Sequence, residues 1–292
     1  MSDYPPLVSV EWLRDRLDDP NVLVLDASVY LSPAQDGHSR GEFRSGLDEY
    51  LKSGHIPGER FADLFTEFSD PTSRFPFTRP QREQFEAAAR KLGITPATHV
   101  VTYDGLVGQW AARLWWVFTT LGHDRVSVLD GGLRKYVAQG GRLETDIVPY
   151  QKTSYRLPGP PKDFVRTDLV ADIVAGRAGG RLVCLLQPDD YSGAIAVRSR
   201  AGHIPGSVNL PFTRLVNEAD NTLLPPSRLR SLIQSVTPLE GELVVTYCGG
   251  GIASTLGALA MAVIGYKNSL EYDGSLAEWL DDPGHPMATG EG

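Results

Sequence analysis

The sequence predicts two tandem α/β domains of one fold, each a mostly parallel sheet flanked by helices. Three observations carry that expectation. First, blocks recur in one order. GHIPG stands at Gly54–Gly58 and at Gly202–Gly206, VVTYDG at Val100–Gly105 matches VVTYCG at Val244–Gly249, and LGHDRVSVLDGG at Leu121–Gly132 matches IGYKNSLEYDGS at Ile264–Ser275. The offsets are 148, 144 and 143 residues, the mark of a tandem duplication with small insertions. Second, the short apolar runs are continuous rather than alternating, as in strands buried on both faces. Third, strand and helix patterns alternate, which implies βαβ units.

Each copy follows the same order. A buried strand comes first (Val22–Leu25; Leu182–Leu186), then a variable loop and the GHIPG turn. An amphipathic helix follows (Arg82–Leu92; Ser227–Ser235), then a strand ending at Tyr103 or Tyr247. An apolar helix (Gln109–Leu121; Ile252–Ile264), a further strand and an Asp-Gly turn complete the copy. The polar, Pro/Gly-rich stretch 141–162, with LPGPPK at Leu157–Lys162, reads as a linker between domains 1–140 and 163–292.

Composition narrows the chemistry. Of 292 residues, 28 are Lys or Arg and 36 are Asp or Glu, a net charge of −8. Residues 1–150 hold 16 basic against 21 acidic side chains, and the remainder 12 against 15. Neither half has a basic excess, so nucleic acid and anionic membrane are not expected as partners. Two cysteines 64 residues apart form neither a zinc site nor a CxxC pair, and no metal or other cofactor is expected. The start shows no secretory pattern and no run approaches 18 apolar residues, so a cytoplasmic protein with reduced thiols is expected.

In a parallel α/β sheet, ligands bind beyond the carboxyl ends of the strands. There the second copy carries Cys248-Gly249-Gly250-Gly251-Ile252-Ala253-Ser254, and the first Asp104-Gly105-Leu106-Val107-Gly108-Gln109. Three glycines let successive N–H groups turn inward as a nest, and the following helix adds its positive end. A cysteine so placed has a depressed pKa and a thiolate suited to attack an electrophilic sulfur. The cysteine is in one copy only, so the second domain is expected to be catalytic and the first structural. Asp104, in the cysteine's place, reads as a capping residue. Cys184 lies inside an apolar strand and reads as inert core.

GHIPG in both copies, YCGGGIAS, DGSLAEW (Asp273–Trp279), LDASVYL (Leu25–Leu31), HIPGERFADL (His55–Leu64), ARLWWVF (Ala112–Phe118) and VLDGGL (Val128–Leu133) resemble the tandem rhodanese-type sulfurtransferases. The closer likeness is to the 3-mercaptopyruvate sulfurtransferases. The resemblance implies two rhodanese-like domains. It also implies transfer of a sulfane sulfur from a small anionic donor, 3-mercaptopyruvate or thiosulfate, through a Cys248 persulfide. A thiol or cyanide receives the sulfur, and the acceptor could be a small redox protein.

The resemblance also marks departures. Thiosulfate-type members carry Arg-Lys after the cysteine and mercaptopyruvate-type members Gly-Ser-Gly. Gly249-Gly250-Gly251 sides with the second, but Gly250 replaces the serine that can bond near the thiol. The arginine of the family's Asp-Ala-Arg is Leu186 here, in Cys184-Leu185-Leu186. A second donor-binding arginine aligns near Ala196. Arg198 and Arg200 lie close enough to substitute, with Arg198 the candidate, against two solvated loop arginines. Asp63 matches a family aspartate near the cysteine and is a candidate for tuning the site, against a capping or salt-bridge role. The family's histidine aligns with Phe77. These losses keep open an alternative, a persulfide carrier or partner-docking protein with weak or no activity on the usual donors. A cysteine phosphatase needs an arginine six residues after the cysteine, and position 254 is serine.

Overall fold

The computed structural model describes residues 4–32, 42–147, 150–196 and 198–291. The chain forms two compact units. The first comprises Met1–Pro71 and Pro80–Pro161, the second Thr72–Arg79 and Lys162–Gly292.

In the first unit the elements run β1 (Leu7–Val8), α1 (Val10–Arg14), β2 (Val22–Asp26), β3 (Val29–Leu31), β4 (Phe43–Ser45), α2 (Leu47–Ser53), β5 (Arg60–Phe61), α3 (Arg82–Lys91), β6 (His99–Tyr103), α4 (Gln109–Leu121), β7 (Val126–Leu129) and α5 (Gly132–Ala138). Its sheet has the order β1-β7-β6-β2-β5 with every pairing parallel, and β3 and β4 form a separate antiparallel ribbon. β6 is central and buried along its whole length, as its unbroken apolar run requires. α4 is buried on nearly all sides, which explains an apolar helix without a polar stripe.

The second unit runs α6 (Thr167–Val174), β8 (Arg181–Cys184), α7 (Pro188–Ser192), β9 (Val208–Asn209), a 3₁₀ turn (Phe212–Leu215), α8 (Pro226–Gln234), β10 (Val244–Tyr247), α9 (Ala253–Val263), β11 (Ser269–Glu271) and α10 (Ser275–Trp279). Its sheet order, β11-β10-β8-β9, is again all parallel. It reproduces β7-β6-β2-β5 of the first unit strand for strand. The register agrees as well: Asp26 pairs with Tyr103 as Cys184 pairs with Tyr247.

The GHIPG histidines serve the turn in each unit. His55 Nδ1 bonds the Tyr50 carbonyl and its ring stacks on Tyr50, and His203 does the same with Tyr191. Two features depart from the sequence expectation. The stretch expected as a linker packs on the first unit, where Tyr155 and Leu157 are buried. Their carbonyls accept from Arg90 and Arg82, and Arg156 pairs with buried Glu86. Composition marked this stretch as irregular, but its apolar residues anchor it. Residues 72–79 pack with the second unit, through Arg79 N–H to the Asp273 carboxylate (3.0 Å) and an Arg74–Asp281 ion pair. Phe77, where the resemblance expects a histidine, lies in that segment, buried and with φ of +62°.

Candidate active site

The site stands at the carboxyl end of β10, where the chain passes through Cys248–Ile252 into α9. Cys248 is 3% exposed. Gly251 takes φ of +74°, a conformation that strains any residue with a Cβ, and this inverts the loop so that its N–H groups converge. The Cys248 and Gly251 N–H groups both donate to Ser275 Oγ at 3.0 Å, which ties the loop to the start of α10. Ser275 itself has φ of +49°, and its counterpart in the first unit, Gly132, has φ of +55°. Such a backbone on a serine is held by its surroundings, here by the two bonds to the loop.

The sulfur receives the remaining donors. Burial alone pushes the Cys248 thiol up. The Ser254 hydroxyl at 3.3 Å and the N–H groups of Gly250, Ser254 and Ile252 more than offset that, and its pKa falls below the ordinary thiol value. Cys184 has no such cradle, and burial pushes its thiol up to about 12. It is core, as the sequence indicated.

Arg198 lies over the loop. Its Nε donates to the Gly249 carbonyl at 3.0 Å, and its charge acts on Cys248. A Cβ added to Gly250 would stand 2.8 Å from Arg198 Nη2, so the missing loop serine and the arginine's position go together. Arg200 instead bonds the His285 carbonyl (2.9 Å), away from the loop. Leu186, in the place of the family's arginine, is buried.

Cys248, Gly249, Gly250, Gly251, Ile252, Ser254 and Arg198 thus form one cluster, with Ala253 opening α9. Asp63 belongs to the first unit, where its carboxylate accepts from Phe65 N–H (2.7 Å) and the Thr66 hydroxyl (2.8 Å) of its own turn. Sequence reasoning missed Ser275 and Glu271. The Ser275 signal was present in the repeat, as Asp-Gly-Ser against Asp-Gly-Gly. Glu271 is buried and accepts from the Ser254 and Thr246 hydroxyls. Its signal was a carboxylate where the other copy has Val128. Among the described residues no group of His, Cys, Asp and Glu could hold a metal ion, and no helix is long and apolar enough to cross a membrane.

Comparison with known proteins agrees with this geometry. The Rhodanese-like domain family model matches residues 9–139 and 184–282. The chain is 31% identical to the sulfur carrier protein TtuD of Thermus thermophilus, over 98% of this chain and 97% of that one. It is 33% identical to the human 3-mercaptopyruvate sulfurtransferase, over 94% and 91% respectively. The crystal structure of SseA, a 3-mercaptopyruvate sulfurtransferase from Escherichia coli, superposes with a TM-score of 0.80 at 29% identity, covering 93% of this chain and 98% of that one. With a matching family model over both repeats and relatives along nearly the whole length, the chain belongs to the rhodanese-like sulfurtransferases.

Proposed function

We propose that Cys248 is the nucleophile of this sulfurtransferase and that the second unit is its catalytic half, the first being structural. The observation that carries the reading is the buried Cys248 sulfur in its glycine loop, with the Ser254 hydroxyl 3.3 Å away and, with it, the N–H groups of Gly250, Ser254 and Ile252 lowering its pKa against burial. A thiolate held this way attacks the outer sulfur of the donor, and the same N–H groups then hold the anionic persulfide. With 3-mercaptopyruvate the donor's carbon–sulfur bond breaks. Its electron pair leaves on carbon, which takes a proton to give pyruvate. With thiosulfate a sulfur–sulfur bond breaks and sulfite leaves. A thiol or cyanide acceptor then attacks the outer sulfur of the persulfide and returns the electron pair to Cys248.

The single guanidinium of Arg198 over the loop matches the one carboxylate of 3-mercaptopyruvate better than the dianion thiosulfate. We therefore rank 3-mercaptopyruvate first as donor. Asp63 is left to its turn, since Phe65 and Thr66 engage its carboxylate and the activation of Cys248 is accounted for within its own unit. A cytoplasmic setting suits two free cysteines.

The test is a mass spectrum of the intact protein after exposure to each donor separately, with steady-state transfer to a thiol. A one-sulfur increment on Cys248, lost together with turnover in Cys248→Ser, is the expected result. Sulfur transfer by Cys248→Ser at the wild-type rate would overturn it. The likeness to TtuD favours a second reading, a carrier of persulfide sulfur. Its signature is the one-sulfur increment without turnover of either donor.

A further inference from the structure

Behind the reacting sulfur lies a connected set of buried groups that the transfer scheme above leaves unused. Ser254, on the first turn of α9, points its hydroxyl at Cys248 Sγ, 3.3 Å away. The same hydroxyl is within hydrogen-bond reach of Glu271 Oε1 on β11. The other carboxylate oxygen of Glu271 accepts from Thr246 Oγ1 at 2.5 Å. All of these side chains are buried.

A hydroxyl has one hydrogen, and here it meets two acceptors. With Glu271 ionised, Ser254 donates to the carboxylate and the sulfur keeps its own proton. With Glu271 protonated, the carboxyl donates to Ser254 Oγ, and Ser254 donates to a thiolate. The two states differ only by where protons sit along one line.

The repeat supplies an internal control. Ser254 and Glu271 correspond to Trp110 and Val128 in the unit that lacks the cysteine, whereas Thr246 corresponds to Thr102. Val128 pairs with Thr102 as Glu271 pairs with Thr246, so the backbone frame is the same. Burying a carboxylate in a sheet is costly, and the duplication shows that this sheet position accepts valine. The serine and the carboxylate occur in the unit where a thiol must lose a proton.

We propose that Glu271 is the proton acceptor for the Cys248 thiol, acting through Ser254. This rests on Cys248 being the nucleophile. The Cys248 S–H bond breaks as its proton passes to Ser254 Oγ, while the Ser254 O–H proton passes to Glu271 Oε1. The pair left on the Cys248 sulfur bonds the sulfur of 3-mercaptopyruvate. The donor's carbon–sulfur bond breaks, and its carbon takes the donor's own thiol proton. The persulfide anion and neutral Glu271 remain. When an acceptor thiol takes the outer sulfur, its proton stays on the product persulfide, and Glu271 returns the stored proton to Cys248 by the same route. Glu271 touches no substrate and is a positioning and proton-holding residue.

The test is the rate of carbamidomethylation of Cys248 against pH, followed residue by residue by mass spectrometry. Two sites sharing a proton titrate as a pair. Wild-type reactivity is therefore expected to rise in two steps, with a plateau at neutral pH. Glu271→Gln and Ser254→Ala are each expected to give one step. Ser254→Ala should also react about tenfold more slowly at pH 7, as its thiol holds the proton more tightly. In turnover, Glu271→Gln is expected to lower kcat by about 100-fold with KM within about twofold.

Other charges near the thiol do not produce that signature. Arg198 keeps its charge throughout, and burial pushes the Cys184 thiol up to about 12. A single step in the wild type overturns the proposal, as do two steps that persist in either variant. Should a variant fail to fold, the wild-type profile and the infrared carbonyl band of protonated Glu271 on its neutral plateau decide. Failure of Cys248 to gain sulfur from any donor would instead overturn the nucleophile assignment, so the two failures are distinguishable.

Discussion

The carboxylate of Asp104 occupies in the first unit the place that the Cys248 sulfur occupies in the second. Asp104 accepts N–H bonds from Leu106, Gly108, Trp110 and Ala111 at 2.8–3.0 Å. Cys248 is served by the N–H groups of Gly250, Ile252 and Ser254. Those three are the repeat counterparts of Leu106, Gly108 and Trp110, each 144 residues on. One loop geometry therefore holds a fixed anion in one unit and a reactive one in the other.

Removing the fixed anion should be costly. Asp104 is fully buried, and burial raises its pKa even against the four N–H bonds that lower it. Asp104→Ala leaves four N–H donors, those of Trp110 and Ala111 buried, without their acceptor. A stability loss of roughly 3–5 kcal/mol is expected from urea unfolding. A loss below about 1 kcal/mol would show that the cradle does not need its anion.

The two cysteines should separate by chemistry alone. With Cys184 at about 12, about one molecule in 10⁴ carries its thiolate at pH 8, whereas Cys248 lies below the ordinary thiol value. Iodoacetamide at pH 8 is expected to modify Cys248 in the folded protein and leave Cys184 untouched, and to modify both in urea. Peptide mapping reads this directly, and equal labelling in the fold would contradict the cradle's effect on the sulfur.

Gly250 and Arg198 should behave as a coupled pair. Serine at 250 would press on the Nη2 end of the Arg198 side chain, which must shift to admit it. Arg198→Ala is expected to raise KM for 3-mercaptopyruvate by about tenfold, the value of one charge-assisted hydrogen bond. Gly250→Ser should raise it in the same direction. Gly250→Ser added to Arg198→Ala should then have less effect than it has alone. Strictly additive effects would show that the two positions do not communicate.

The sequence exposed the duplication, the repeated succession of strands and helices and the loop at Cys248, because each rests on contiguous residues with a local physical meaning. Glycines before a helix and continuous apolar strands need no tertiary context. Glu271 and Ser275 were not legible in that way. A single glutamate in a strand reads as an outward-facing residue, and only the pairing of β11 with β10 turns its side chain towards Ser254 and Thr246. Of the two loop arginines the sequence put Arg198 first, against a reading in which both are solvated. Its Nε bond to Gly249 and the contact of Arg200 with His285 separated them. The stretch 141–162, expected as a linker, failed for the opposite reason. Its composition is that of a linker, but Tyr155 and Leu157 supply enough buried surface to hold it on the first unit.

The first unit carries a pH-dependent weakness. Burial pushes Asp26 up to about 6, against hydrogen bonds from Ser28 that lower it, and burial pushes neighbouring Glu59 well above its ordinary value. For Asp26 the unfolded chain loses its proton near 3.8 and the folded chain near 6. Between those values the folded state holds the extra proton, so stability falls as pH rises across the window and stays at its lower level above it. The gap between the two values is equivalent to about 3 kcal/mol. Asp26→Asn keeps an acceptor for the Ser28 N–H and cannot ionise. It is expected to stabilise the protein by up to about 3 kcal/mol at pH 8, with the gain vanishing towards pH 4. Urea unfolding of both proteins at the two pH values measures the difference. A gain of equal size at both would mean that the effect comes from packing and not from the buried charge.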